Sequence, residues 1–184
     1  MLTKDQLSSI AGWAQHGAEL AQASLREIHT ADSGLEIRNI QCATLAELPD
    51  CVPCFEGECV AGVVNRFEGG LCGTALLAMD PKDALAWVRS KPGDDDLLES
   101  FVRLGGTVQS SVVCEIGKGL GLAMRAESAE LNENSVPLIL FGTHAPSDTA
   151  VVAVSLLVAA GDEVLPVQIY LMIEPKLLCT ALAA

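Results

Sequence analysis

The sequence predicts an α+β fold: one antiparallel-rich sheet with two long helices on one face, built as a pseudo-twofold repeat of helix, strand, hairpin and helix. Three observations carry this. Two long stretches show helical apolar periodicity, one near the start and one after residue 96. Two pairs of apolar, strand-like runs are each joined by a glycine-bearing turn. Finally, Ala78-Met79-Asp80-Pro81-Lys82 resembles Met172-Ile173-Glu174-Pro175-Lys176, and the strand hydrophobics recur at the same offset of 94 positions. Convergent strand-to-helix capping would give the short match alone, whereas duplication accounts for both. The 184 residues suit one domain, 1–184, with repeat halves 1–92 and 93–184.

In the first helix, Leu7, Ile10, Ala11, Ala14, Ala18, Ala21 and Leu25 recur at three- and four-residue steps and share a face. Thr3 with Gln6 forms a capping-box pattern at its start. Leu35 to Cys42 alternates as a strand, and Ala46 to Glu58 reads as a loop. Cys59 to Arg66 and Leu71 to Met79 read as a hairpin around Glu68-Gly69-Gly70. Asp80-Pro81 opens a helix with Asp as N-cap and Pro at its first position, and Ala84, Leu85 and Val88 are its expected buried face.

Lys91 to Asp96 is the boundary between the halves, and its aspartates suit the positive end of the next helix. Leu97, Leu98, Phe101, Val102, Gly105, Val108 and Val112 give that helix an apolar face, and Gly117, Gly119 and Gly121 read as breakers. Leu122 to Ala129 is a candidate strand. Leu131 to Asp148 is a polar connection interrupted by apolar Val136 to Phe141. Val151 to Val158 and Val167 to Ile173 form the second hairpin, around Gly161-Asp162, and Glu174-Pro175 opens the last helix.

Charge excludes several roles. Eleven basic against 24 acidic residues leave −13, with −5 on residues 1–92 and −8 on 93–184, and no Lys/Arg cluster. Nucleic acid and an anionic membrane surface are therefore unsuited partners. The longest apolar run, near Ala150–Ala160, is too short to cross a bilayer. The start lacks a signal-peptide pattern, and seven cysteines is an odd number, so free thiols in a reducing cytoplasm are expected.

The whole-chain pattern resembles the CheC, CheX and FliY family of chemotaxis phosphatases. Gly70-Leu71-Cys72-Gly73-Thr74-Ala75-Leu76-Leu77-Ala78-Met79-Asp80-Pro81 is similar to that family's glycine-rich strand and strand-to-helix step. Asp96 to Leu122, ending in Gly119-Leu120-Gly121-Leu122, resembles its second long helix. Val151 to Leu182 resembles its final hairpin and helix. The resemblance implies a CheC-like fold and a chemotaxis or two-component pathway. The expected partner is a CheY-like response-regulator receiver domain or another chemotaxis protein, and a homodimer is expected too.

The family motif, as the resemblance implies it, is a Ser or Asp, an acid four positions on and an Asn three further. The acid pairs with a regulator lysine, and the Asn orients a water for attack on the aspartyl phosphate. Positions i, i+4 and i+7 share a helical face. The first helix places Ser8, Gly12 and Gln15 at these positions, and the second long helix places Glu99, Arg103 and Gly106. Gln15 keeps an amide. Gly12 supplies no acid, Arg103 reverses the charge and Gly106 has no amide.

The expectation is a partner-binding protein with the phosphatase chemistry lost or weak. Ser8, Gly12, Gln15 and Glu19, with Glu99, Arg103 and Gly106, are its candidate partner-binding residues, and Gln15 is the one candidate catalytic residue of a surviving weak phosphatase. No cofactor or metal is expected from the motifs. A rival is a metal or redox module at Cys51-Val52-Pro53-Cys54, with Cys42 and Cys59 nearby. Cys72, Cys114 and Cys179 lie in apolar contexts and are expected in the core.

Overall fold

A computed structural model describes residues 3–28, 34–48, 59–90 and 96–183. The element order is α1 (Lys4–Ile28), β1 (Leu35–Thr44), β2 (Ala61–Gly69), β3 (Gly73–Met79), α2 (Pro81–Arg89), α3 (Leu97–Gly119), β4 (Met124–Ala126), β5 (Glu130–Asn132), α4 (Val136–Gly142), β6 (Ala150–Ala160), β7 (Glu163–Ile173) and α5 (Pro175–Ala183).

Local chemistry sets the starts and turns. At α1, Gln6 N donates to Thr3 Oγ1 at 3.2 Å and Thr3 N donates to Gln6 Oε1 at 2.9 Å, a closed capping box. Asp80 accepts from Lys82 N at 2.8 Å, and Asp96 accepts from Leu98 N and Glu99 N at 2.9 and 3.1 Å. Between β6 and β7 the two-residue turn is Gly161-Asp162, with Gly161 at φ 64°, where an L side chain is strained.

All strands pair antiparallel in one seven-stranded sheet, ordered β1-β6-β7-β3-β2-β4, with β5 also on β2. The inner strands β3 and β7 of the two hairpins meet at its centre. There Leu76 stands opposite Tyr170, and these two residues are themselves 94 positions apart. The equivalent strands thus face each other across a local twofold axis. The ends of α2 and α5 differ by the same 94 positions. The outer strands exchange, β1 pairing with β6 while β4 and β5 pair with β2.

One sheet face buries its alternate side chains, among them Val63, Leu77, Val154 and Ile169, under α1 and α3. The opposite face, with Leu76, Ala153, Tyr170 and Met172, is covered by α4 and by Leu45 and Leu48. Trp87 of α2 meets Phe101 of α3 edge to face, with ring centroids 6.3 Å apart.

Several expectations need correction. Val136–Gly142 is a helix, with Val136, Ile139 and Leu140 buried, where the sequence reads as an interrupted polar connection. The helix α3 runs through Gly117 to Gly119, because tertiary packing there outweighs glycine's poor propensity. The candidate strand 122–129 is two three-residue strands. Ala84 and Val88 are buried as expected, but Leu85 is 36% exposed and Trp87 takes the third inward position. Leu98 projects to solvent. Cys72 and Cys179 are exposed and Cys114 is half-buried, because the neighbours Leu71 and Leu178 take the inward positions. Cys51, Cys54, Asp94 and Asp95 lie outside the described residues.

Leu104 of α3 is 1% exposed and Leu98 is 58% exposed. In urea unfolding, Leu104→Ala is expected to cost about 2–5 kcal/mol and Leu98→Ala about 0.5 kcal/mol or less. Equal losses would contradict the burial described.

Candidate functional site

The candidate residues fall on α1 and α3, which pack against each other along most of their lengths. The crossing is antiparallel: Gly17 lies against Ser111 and Val112, Trp13 against Gly119, and His16 beside Glu115. Gly17 is what lets the backbones approach, since a Cβ there would stand 2.7 Å from Val112 Cα and 2.8 Å from Ser111 O.

On α1, Ser8, Gly12 and Glu19 are exposed and Gln15 is half-buried along one outward stripe. The stripe is linked to α3 by polar contacts. Gln15 Nε2 donates to Glu19 Oε1 at 3.2 Å. His16 bridges the helices, with Nδ1 3.7 Å from Glu19 Oε2 and Nε2 3.7 Å from Glu115 Oε2. Lys118 Nζ donates to Glu115 Oε1, and that hydrogen bond raises the Lys118 pKa above the ordinary lysine value. Gly12 differs from Gly17: a Cβ built on it meets nothing within 4 Å. No packing demands a glycine at this position.

On α3, Glu99, Arg103 and Gly106 line a groove of about 590 Å³. Val102, Thr107, Ser110 and Ser111 of the same helix, Asn65 of β2, and Glu127 and Ala129 of the β4–β5 segment complete its wall. Glu99 and Arg103 are exposed, whereas Gly106 is buried. A Cβ at Gly106 would approach Ala129 Cβ to 3.1 Å, so the β4–β5 segment stands where a longer side chain would rise. Thr107 Oγ1 donates to the Arg103 carbonyl at 2.8 Å.

The two stripes do not converge. Corresponding positions, 8 and 99, 12 and 103, 15 and 106, are all 91 apart and lie toward opposite ends of the antiparallel seam. Gln15 neighbours the Glu115 end, and Gly106 lies nine residues away, about 13 Å of helical rise. Neither position 12 nor position 103 carries an acid. The sequence reading missed Asn65, Glu127 and the His16–Glu115–Lys118 link. Only Asn65 carried a local signal, as a polar residue in the apolar run Val63-Val64-Asn65.

Asn65 is 2% exposed. Its Nδ2 donates to the Glu127 carbonyl at 3.4 Å, and its Oδ1 has no hydrogen-bond partner among the described residues. Gln109 of α3 donates to the Val63 carbonyl at 2.9 Å and fastens α3 to β2 beside it. Burial pushes the thiols of Cys42 and Cys114 up from the ordinary cysteine value, which disfavours the nucleophilic thiolate. Among the described residues no group of three or more His, Cys, Asp or Glu is placed to hold a metal ion, and no helix is long and apolar enough to cross a membrane.

With this geometry in hand, comparison with solved structures gives the fold type. FliY of Thermotoga maritima superposes with a TM-score of 0.68 at 15% identity, covering 98% of this chain and 96% of that one. A chain of the FliG–FliM complex from H. pylori gives 0.64 at 12% identity, covering 97% and 100%. The chemotaxis protein CheX from Desulfovibrio desulfuricans gives 0.50 at 12% identity, covering 89% and 99%. No family model and no curated protein matches the sequence. The chain therefore has the CheC/CheX/FliY-type fold, and at these identities the likeness is one of fold.

Gly17→Ala is expected to destabilise the protein by roughly 1–3 kcal/mol through overpacking at the α1–α3 seam. Gly12→Ala is expected to stabilise it by about 0.5–1 kcal/mol, as an exposed helix interior gains from alanine. Thermal or urea unfolding of both variants checks the contrast, and shifts of one sign would refute it.

Proposed function

We propose that this chain is a CheC-like signalling protein of a bacterial chemotaxis or two-component pathway, acting in the cytoplasm by binding a protein partner. The partner is a CheY-like receiver domain or another chemotaxis protein, and the phosphatase chemistry of the family is lost or weak. The observation that carries this is the state of the two motif stripes. Gly12 leaves open space where an acid belongs, Arg103 reverses the charge, and Gly106 lies under Ala129.

The resemblance supplies the pathway, and the fold likeness supports it. In H. pylori the neighbouring fold occurs in a FliG–FliM complex, so protein–protein binding is in keeping with this architecture. We also propose that 1–184 is one domain whose halves, 1–92 and 93–184, arose by duplication. The pairing of Leu76 with Tyr170, 94 positions on, supports that reading. A homodimer fits the place of the ten-residue strand β1 at the end of the sheet order, where no further strand pairs with it among the described residues.

Gln15 favours a second reading, a weak phosphatase. Its amide lies on the solvent-facing stripe beside Glu19 and could orient a water. A phosphorylated CheY-type receiver domain mixed with the protein separates the two. The proposal expects binding by calorimetry and a rate of phosphoryl loss unchanged within about twofold, under 0.5 kcal/mol of barrier. A rate increase of tenfold or more that disappears in Gln15→Ala would overturn it in favour of the second reading.

A further inference from the structure

We propose that Cys42 of β1 and Cys179 of α5 form a paired-thiol modification site, which closes to an intramolecular disulfide under a small-molecule disulfide oxidant and opens again on reduction. The site is separate from the α1 and α3 stripes and does not rest on the partner-binding reading above.

The sheet register brings the two cysteines to one place. At this end of the sheet Thr44, Ala150 and Ile173 stand side by side on β1, β6 and β7. The helix α5 starts two residues after β7 ends, and β1 lies only two strand spacings from β7, about 10 Å. Pro175, Leu178 and Cys179 stand at i, i+3 and i+4 of α5 and share one face. That face lines a cavity of about 220 Å³, and Cys42 with the end of β1 lines it too. Cys42 packs against the same core that takes Leu178. The two thiols thus enter one small space, one from the strand and one from the helix.

Their surroundings set the order of events. Cys179 is exposed and meets an oxidant first, while Cys42 is half-buried and is reached through the shared cavity. Burial foremost raises the Cys42 pKa, and a Cys179 thiolate raises it further, so the two sulfurs lie within electrostatic reach of each other. Leu178 is the one buried side chain of α5. The helix is therefore lightly held and can take up the shift that disulfide geometry demands. Cys179 Sγ, as thiolate, attacks one sulfur of the oxidant and displaces a thiolate, leaving a mixed disulfide. Cys42 Sγ, as thiolate, then attacks Cys179 Sγ and displaces the second thiolate. The two protein sulfurs lose two electrons, the small disulfide gains them, and the two protein thiol protons pass to the released thiolates. In a reducing cytoplasm the open dithiol is the resting form.

For the test, the reduced full chain is equilibrated with reduced and oxidised glutathione in varied ratio. Free thiols are then trapped by alkylation and the digest is mapped by mass spectrometry. The expected result is a cross-linked peptide joining Cys42 to Cys179 that grows with the oxidised fraction and vanishes with dithiothreitol. The closed form should melt about 4 °C or more above the open form. Cys179→Ser, a change at an exposed position, should remove both the peptide and the shift. In Cys42→Ala the reaction should stop at a glutathione adduct on Cys179. Three wild-type outcomes would each overturn the proposal: both cysteines alkylated as free thiols at the most oxidising ratio, a lasting Cys179 adduct with Cys42 free, or Cys42 joined to any other cysteine. A rise in melting temperature that survives in Cys179→Ser would do the same.

Discussion

The antiparallel pairing of β3 with β7 places everything else in this molecule. Leu76 and Tyr170 mark the local twofold axis, and each hairpin extends outward from it. Each outer strand then pairs with the hairpin of the other half, so neither half completes its sheet alone. The same symmetry lays α1 and α3 antiparallel on one face. Their separation is set by the backbone contact at Gly17. A change that widens this seam moves both candidate stripes, because each stripe is the outward side of a helix whose inward side is core.

The same packing explains why the stripes differ. On α1 the position of Gly12 opens to solvent, so a side chain is sterically free to stand there and its absence is a matter of chemistry. On α3 the segment between β4 and β5 closes over Gly106, and the polar floor of the groove comes from Asn65 on the sheet below. Surfaces that are equivalent by topology have thus diverged in different ways. One carries a glycine and an amide, at Gly12 and Gln15, while the other carries Arg103 and Gly106 beside the buried amide of Asn65 from a neighbouring strand.

Much of the fold was legible in the sequence because its signals are local. Thr3 with Gln6, Asp80-Pro81 and Gly161-Asp162 each satisfy or free backbone groups within a few residues, and they sit at the boundaries they predict. The match at 94 positions reappears as the Leu76–Tyr170 pair. What was not legible depends on distant neighbours. Val136 to Phe141 is apolar without a clear period, so its burial against the far face of the sheet decides the helix. Trp87 rather than Leu85 turns inward because Phe101, in another helix, receives it. Gly12, Gly17 and Gly106 look alike in sequence, yet one faces open space, one a helix backbone and one a loop. Asn65 joins the α3 groove only through the strand pairing that sets β2 beneath the helix.

The central claim is that the fold is intact while the motif positions on α1 lack the side chains that dephosphorylation needs. The most direct test restores them in one protein, Gly12→Glu with Gln15→Asn, using the open space at position 12. Loss of the phosphoryl group from a phosphorylated CheY-type receiver domain is then followed beside the wild type. The account predicts an inert wild type and a double variant that speeds the loss by about tenfold or more, roughly 1.4 kcal/mol of barrier. A wild type that already matches the double variant would contradict it.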